Sequence, residues 1–162
     1  MLRSGWNQTR PDLRVSTSLL QGAHASATVA DTREANKLIR LCRQHAHVPI
    51  RVSPIPLDDL TFVGFGDCGW CVRRDGSSQG GSLIIAADRR ILDGFEATTT
   101  MVDWKSYTCK RVVRSSFAGE TQAHVETLDM LEVTKVFRAL FLDPCKSLSD
   151  AQSFLRNNTK VP

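Results

Sequence analysis

Asp67 and Glu120 are the residues of this 162-residue chain best placed to do chemistry. Asp67 lies within Val63-Gly64-Phe65-Gly66-Asp67-Cys68-Gly69-Trp70, a run that reads as a buried strand. Glu120 lies within Arg114-Ser115-Ser116-Phe117-Ala118-Gly119-Glu120-Thr121-Gln122-Ala123, in the first turn of an amphipathic helix. A buried carboxylate without a partner is costly, and it ordinarily takes up a proton or binds a cation. A divalent metal shared by the two acids is one reason for both. Taken singly, each acid is more often a surface or capping residue.

The elements that must position these acids are legible along the chain. Arg10-Pro11-Asp12 opens a short helix through Val15, Leu19 and Leu20 that Gly22 ends. Asp31 as N-cap, with Glu34 three residues on, predicts a second helix from about Thr32 to about His45. Val48, Ile50 and Val52 alternate as an edge strand, which Pro49, Pro54 and Pro56 confine. The domain boundary falls there. Phe62 to Val72 predicts a strand whose Gly64, Gly66 and Gly69 mark a bulge or a close backbone approach. Asp75-Gly76 turns it into a returning strand from Ser82 to Ala87. Ile91 to Phe95 and Met101 to Tyr107 read as further strand. Ser116 then caps a long helix with Val125, Leu128, Leu131, Val136, Phe137 and Leu140 facing the core, up to Asp143-Pro144. Lys146 to Leu155 forms another short helix.

The bulk properties fit an intracellular protein. No apolar run is long enough to span a bilayer, and the basic, apolar and small-residue order of a secretory signal is absent. Five cysteines without scaffold spacing point to reduced thiols rather than disulfides. The net charge of +4 permits a polyanionic partner without requiring one. Basic residues gather at Arg73-Arg74, Arg89-Arg90, Lys105, Lys110-Arg111 and Arg114, between the two acids. They are solvated loop charges or contacts to nucleic-acid phosphates.

Several motifs in a fixed order resemble the ribonuclease H domain of copia-type retrotransposon Pol polyproteins. They are Asp67-Cys68-Gly69-Trp70 on the first strand, Arg74-Asp75-Gly76-Ser77-Ser78-Gln79-Gly80-Gly81 in the hairpin, Asp103-Trp104-Lys105-Ser106 on the third strand, and Arg114-Ser115-Ser116 leading to Glu120-Thr121-Gln122-Ala123. Upstream, Gln8-Thr9-Arg10-Pro11-Asp12-Leu13, Ser18-Leu19-Leu20-Gln21 and Glu34-Ala35-Asn36-Lys37-Leu38 resemble the C-terminal end of the reverse transcriptase preceding that domain. The resemblance implies an α/β fold of ribonuclease H type, truncated, with three antiparallel strands and then a long helix. Residues 1–53 would be a helical reverse transcriptase remnant and residues 58–162 the ribonuclease H-like domain, incomplete at its C-terminus. It implies two-metal hydrolysis of RNA in an RNA–DNA hybrid. The ligands would be Asp67 and Glu120, holding Mg2+ or Mn2+. Arg73, Arg74, Lys105 and Arg111 would contact the nucleic acid, and the rest of a Pol polyprotein would be a partner.

One departure from that family matters. Its fold supplies a third and a fourth carboxylate after the helix, and here only Asp143 and Asp150 follow. Asp143 lies at the far end of the helix, more than about 30 Å from Glu120 at 1.5 Å per residue. The expectation is therefore weak or absent activity in isolation, and no DNA synthesis, since the polymerase acids are not here. The alternatives are a non-catalytic nucleic-acid-binding fragment and, more distantly, a thiol oxidoreductase using Cys68-Gly69-Trp70-Cys71. The latter pair lies on strand-like sequence, where positions three apart point to opposite faces. His124, one helical turn after Glu120, is either a neighbour of the acids or a plain helix-face residue.

Overall fold

The computed structural model describes residues 9–23, 26–110, 112–143 and positions 147, 149, 150 and 153. It is an α/β arrangement: a helical segment, then a three-stranded antiparallel sheet, then a long helix. A 3-10 turn, Pro11–Leu13, leads into α1 (Arg14–Gly22), with α2 (Val29–Gln44) following. The sheet comprises β1 (Leu60–Gly69), β2 (Gln79–Asp88) and β3 (Thr99–Thr108), in that order, and α3 (Ser116–Leu142) closes the described fold. No helix among the described residues is long and apolar enough to cross a membrane.

Each boundary has a local cause. The cap of α2 is Thr28 rather than the expected Asp31. Thr28 Oγ1 accepts the Asp31 N–H, and the Asp31 carboxylate accepts the Thr28 N–H at 2.7 Å, a reciprocal box one turn earlier than the sequence reading placed it. For α3 the cap is Ser115, not Ser116, with its hydroxyl accepting the Ala118 N–H at 3.2 Å. The expected strand at Val48–Val52 does not form. The Val48 N–H bonds His45 O, three prolines withhold their N–H groups, and the segment attaches to β3 through Ser53, whose N–H reaches Thr100 Oγ1 at 2.8 Å, and to α3 through Leu57 O, which accepts from Arg138. The expected strand at Ile91–Phe95 is instead a 3-10 helix, Arg89–Asp93. Asp88 Oδ1 caps it at Arg90 N, and Gly94, at φ 82°, ends it. The short helix expected at Lys146–Leu155 lies largely outside the described residues.

In the sheet, β1 and β2 pair without a break from Leu60↔Asp88 to Gly69↔Gln79, while a bulge interrupts β2 and β3 between Ile84 and Ile85. The helix α3 packs on β1 and β2, and α1 packs on β3. A β-carbon added at Gly64 or Gly66 would meet Thr127 at 2.8 or 2.7 Å, so these glycines admit the helix backbone. The faces follow from strand alternation. Gly64, Gly66 and Cys68 look toward α3, while Val63, Phe65 and Asp67 look away. The inward face of α3 is Gly119, Ala123 and Thr127. Val125, Leu128 and Phe137, expected in the core, are 53%, 59% and 68% exposed, because the glycine-lined sheet surface selects the small residues of the helix and turns the large ones out.

Side-chain bonds join the helical block to the sheet. Gln79 Nε2 donates to Ser18 Oγ at 2.9 Å and to Ser106 Oγ at 2.7 Å. Arg74 grips Asp31 with both guanidinium nitrogens, at 2.6 and 2.8 Å. That guanidinium first, and the Thr28 amide and hydroxyl next, hold the Asp31 carboxyl at about 2, against an ordinary 3.8. The contribution of ionised Asp31 is therefore complete above pH 3.8 and is lost as the pH falls toward 2. In urea titrations across that window, the unfolding midpoint of the native chain is expected to fall more steeply than that of Asp31→Asn. Parallel curves would show that the clamp carries no linkage.

Candidate metal and nucleic-acid site

The two acids flank one point of contact between strand and helix. A β-carbon built on Gly119 would stand 2.8 Å from Cys68 Sγ, so the residue after Asp67 touches the residue before Glu120. Trp70 Nε1 donates to Val113 O at 3.2 Å, tying the end of β1 to the segment that enters α3. Asp67 itself is exposed, contrary to the buried position expected of it. Alternation explains this, since Cys68 takes the inward position and Asp67 the outward one. Its Oδ1 accepts the Cys68 N–H at 2.8 Å, folding the carboxylate back against β1. Glu120 is exposed just past the first turn of α3, beside the inward-facing Gly119, and the first turn itself holds no acid, because the helix begins at Ser116 rather than later. His124 is exposed one turn further on.

As a metal site this set matches in donor type and falls short in number. Carboxylate oxygens suit a hard divalent cation such as magnesium. Yet among the described residues no group of three or more His, Cys, Asp or Glu side chains is placed to hold a metal ion. The unbroken run of α3 keeps Asp143, its C-cap, roughly 34 Å from Glu120 along the helix axis at 1.5 Å per residue. Asp150 accepts hydrogen bonds from the Ser147 amide and hydroxyl at 3.2 and 2.6 Å, in the segment after α3.

The basic residues expected at phosphates mostly have protein partners. Arg74 is occupied by Asp31, and Arg73 Nη1 donates to Gln79 Oε1. The Arg73 guanidinium also lies over the open side of Gly22, at the end of α1. Lys105 pairs with Glu126 at 3.2 Å and stands 4.9 Å from the centre of the Tyr107 ring. Arg90 pairs with Asp88 at 3.2 Å. Arg111 lies outside the described residues. Lys110, Arg114 and Arg89 are exposed.

The cysteines are arranged differently from a C-x-x-C couple. Cys71 is exposed at φ 52°, and Cys68 is buried against Cys109, with sulfurs 3.8 Å apart. Burial first, and the Cys109 thiol next, push the Cys68 thiol up to about 11. Sequence reasoning missed this partner because Cys68 lies on β1 and Cys109 just past the end of β3, 41 positions away. Only the register of the folded sheet brings them together, since Tyr107 is level with Cys68 through Gly80 and Cys109 follows two positions on. Set beside known proteins, the chain matches no family model, no curated protein and no solved structure.

Proposed function

We propose that this chain is part of a copia-type retrotransposon Pol polyprotein, with residues 58–162 a ribonuclease H-like region that engages RNA–DNA hybrids. The observation that carries the reading is the pairing of motif order with geometry. Asp67 of the Asp-Cys-Gly-Trp motif precedes Cys68, Glu120 of the Glu-Thr-Gln-Ala motif follows Gly119, and a β-carbon on Gly119 would stand 2.8 Å from Cys68 Sγ. Asp67 and Glu120 are the two carboxylates that would hold magnesium or manganese, which when bound supplies an activated water and stabilises the leaving oxygen of phosphodiester hydrolysis. With two acids and no larger ligand group among the described residues, cleavage by the chain on its own is weak or absent. Hybrid binding then rests on the exposed cations Arg89, Lys110 and Arg114 rather than on Arg74 and Lys105, which already have carboxylate partners.

The test is a labelled RNA–DNA hybrid offered to the purified chain in magnesium and then manganese, beside an RNA duplex and the variant Asp67→Asn. The expected result is binding that favours the hybrid and weakens as salt rises, with cleavage near background. Metal-dependent cleavage of the hybrid, lost in Asp67→Asn, would establish the activity and overturn the expectation of weakness. Failure to bind hybrid in preference to duplex, with no cleavage, would overturn the ribonuclease H reading itself.

A further inference from the structure

Trp70, just past the end of β1, is 47% exposed, yet the fold fixes both its backbone and its ring. Gly69 before it is in register with Gln79, and the N–H of Cys71 after it bonds Ser78 Oγ at 3.1 Å. Cys71 stands at φ 52°, a left-handed conformation that a residue with a β-carbon adopts only where its surroundings impose it. The indole Nε1 donates to Val113 O at 3.2 Å, so one edge of the ring is tied down while much of its surface stays open. The other tryptophans differ. Trp104 is half-buried on β3, and Trp6 lies outside the described residues.

The carbonyl that anchors the ring belongs to a basic segment, Lys110-Arg111-Val112-Val113-Arg114, with three cations in five residues. The carbonyl carbon of Val113 is bonded to the nitrogen of Arg114, so Arg114 begins beside the indole. Arg114 and Lys110 are exposed, and Val112 between them is 96% exposed. A held aromatic face next to cations suits a nucleotide, with the base on the ring and the phosphate on the cation. We propose that Trp70, Arg114 and Lys110 form a binding site for single-stranded nucleic acid, in which an unpaired base stacks on the indole and the flanking phosphates pair with the two cations. Within a hybrid each base is covered on both faces by its neighbours, so the ring selects a strand that has left the duplex. The site rests on the preceding reading in taking Lys110 and Arg114 as phosphate contacts, but it needs neither metal nor hybrid. Trp70 follows Asp67 by three positions, so the single-strand site adjoins the acids.

The experiment measures binding of the full chain to a short oligothymidylate and to an abasic oligomer of the same length and phosphate count, by fluorescence anisotropy of an end label at low salt, with the RNA–DNA hybrid alongside. The expected result is about tenfold tighter binding of the thymidine oligomer, because the abasic strand keeps every phosphate and loses the stacked base. Trp70→Leu is expected to bind the two oligomers alike. Trp70→Phe, which loses the indole N–H and keeps a ring, retains the preference, and circular dichroism shows which variants are folded. Arg114→Gln weakens both oligomers equally and leaves their ratio unchanged. Equal affinity of the native chain for the two oligomers, or binding of neither, overturns the proposal whether or not Trp70→Leu folds. A preference that survives in folded Trp70→Leu also overturns it, and so does one that vanishes in folded Trp70→Phe, which would assign the effect to the Val113 bond. Hybrid bound without any preference between the oligomers removes this site and leaves the ribonuclease H reading standing; the preference without hybrid binding does the reverse.

Discussion

Ile84→Ala is expected to lower the stability of the chain by about 4 kcal/mol, toward the upper end of what removing a buried isoleucine costs. Ile84 is fully buried in the central strand, in register with Gly64 on one side and Asp103 on the other. Its Cδ1 stands 3.3 Å from where a Gly64 β-carbon would be. Loss of three carbons here leaves a void that Gly64 has no side chain to fill, and Thr127 above it is held by a 2.8 Å bond to Ser82 Oγ. The surroundings collapse poorly, which places the cost high in its range. Domains are stable by roughly 5–15 kcal/mol, so this single change removes a large fraction of the whole. Thermal melting should show it as a fall of about 8–16 °C at this chain size, with Ile84→Val falling only about a quarter as far. A drop in Ile84→Ala no larger than in Ile84→Val would show that the strand repacks.

Much of the scaffold was legible before the structure. The Asp75-Gly76 turn signalled the β1–β2 hairpin because positive φ at Gly76, here 74°, is cheap only for glycine. The glycines of β1 were read as a bulge or a close approach, and Gly64 and Gly66 are the close approach; the bulge lies instead between β2 and β3. What misled was size. Apolar spacing on α3 draws the eye to Val125, Leu128 and Phe137, whereas contact with a glycine-lined surface is made by Gly119, Ala123 and Thr127, whose small side chains carry little weight in any periodicity. The candidate site was legible as two acids and no further. That Asp67 faces out depends on which parity of β1 the helix covers, and the glycines state that parity only once the helix is seen on them. The Asp31–Arg74 clamp and the Cys68–Cys109 contact join residues 43 and 41 positions apart, beyond the reach of any local pattern.

Gly66→Ala is the second large effect, and it bears directly on the acids. The new methyl carbon would stand 2.7 Å from Thr127 Oγ1 and 2.9 Å from Ala123 O. A threonine hydroxyl can rotate away, at the cost of its bond to Ser82 Oγ. A helix carbonyl cannot, so α3 must lift from β1 along this turn. Overpacking against backbone, with one buried hydrogen bond weakened, is expected to cost about 3 kcal/mol. Gly81→Ala is the matched control, since Gly81 pairs with Asp67 in the sheet and a β-carbon there meets nothing within 4 Å. It should be neutral or stabilising by about 0.4–1 kcal/mol through the unfolded chain. Urea midpoints of the two variants separate the steric effect from any general intolerance of alanine in this sheet; equal midpoints would mean that α3 does not rest on β1 at Gly66. Lifting the helix also relaxes the Cys68–Gly119 contact that lies between Asp67 and Glu120.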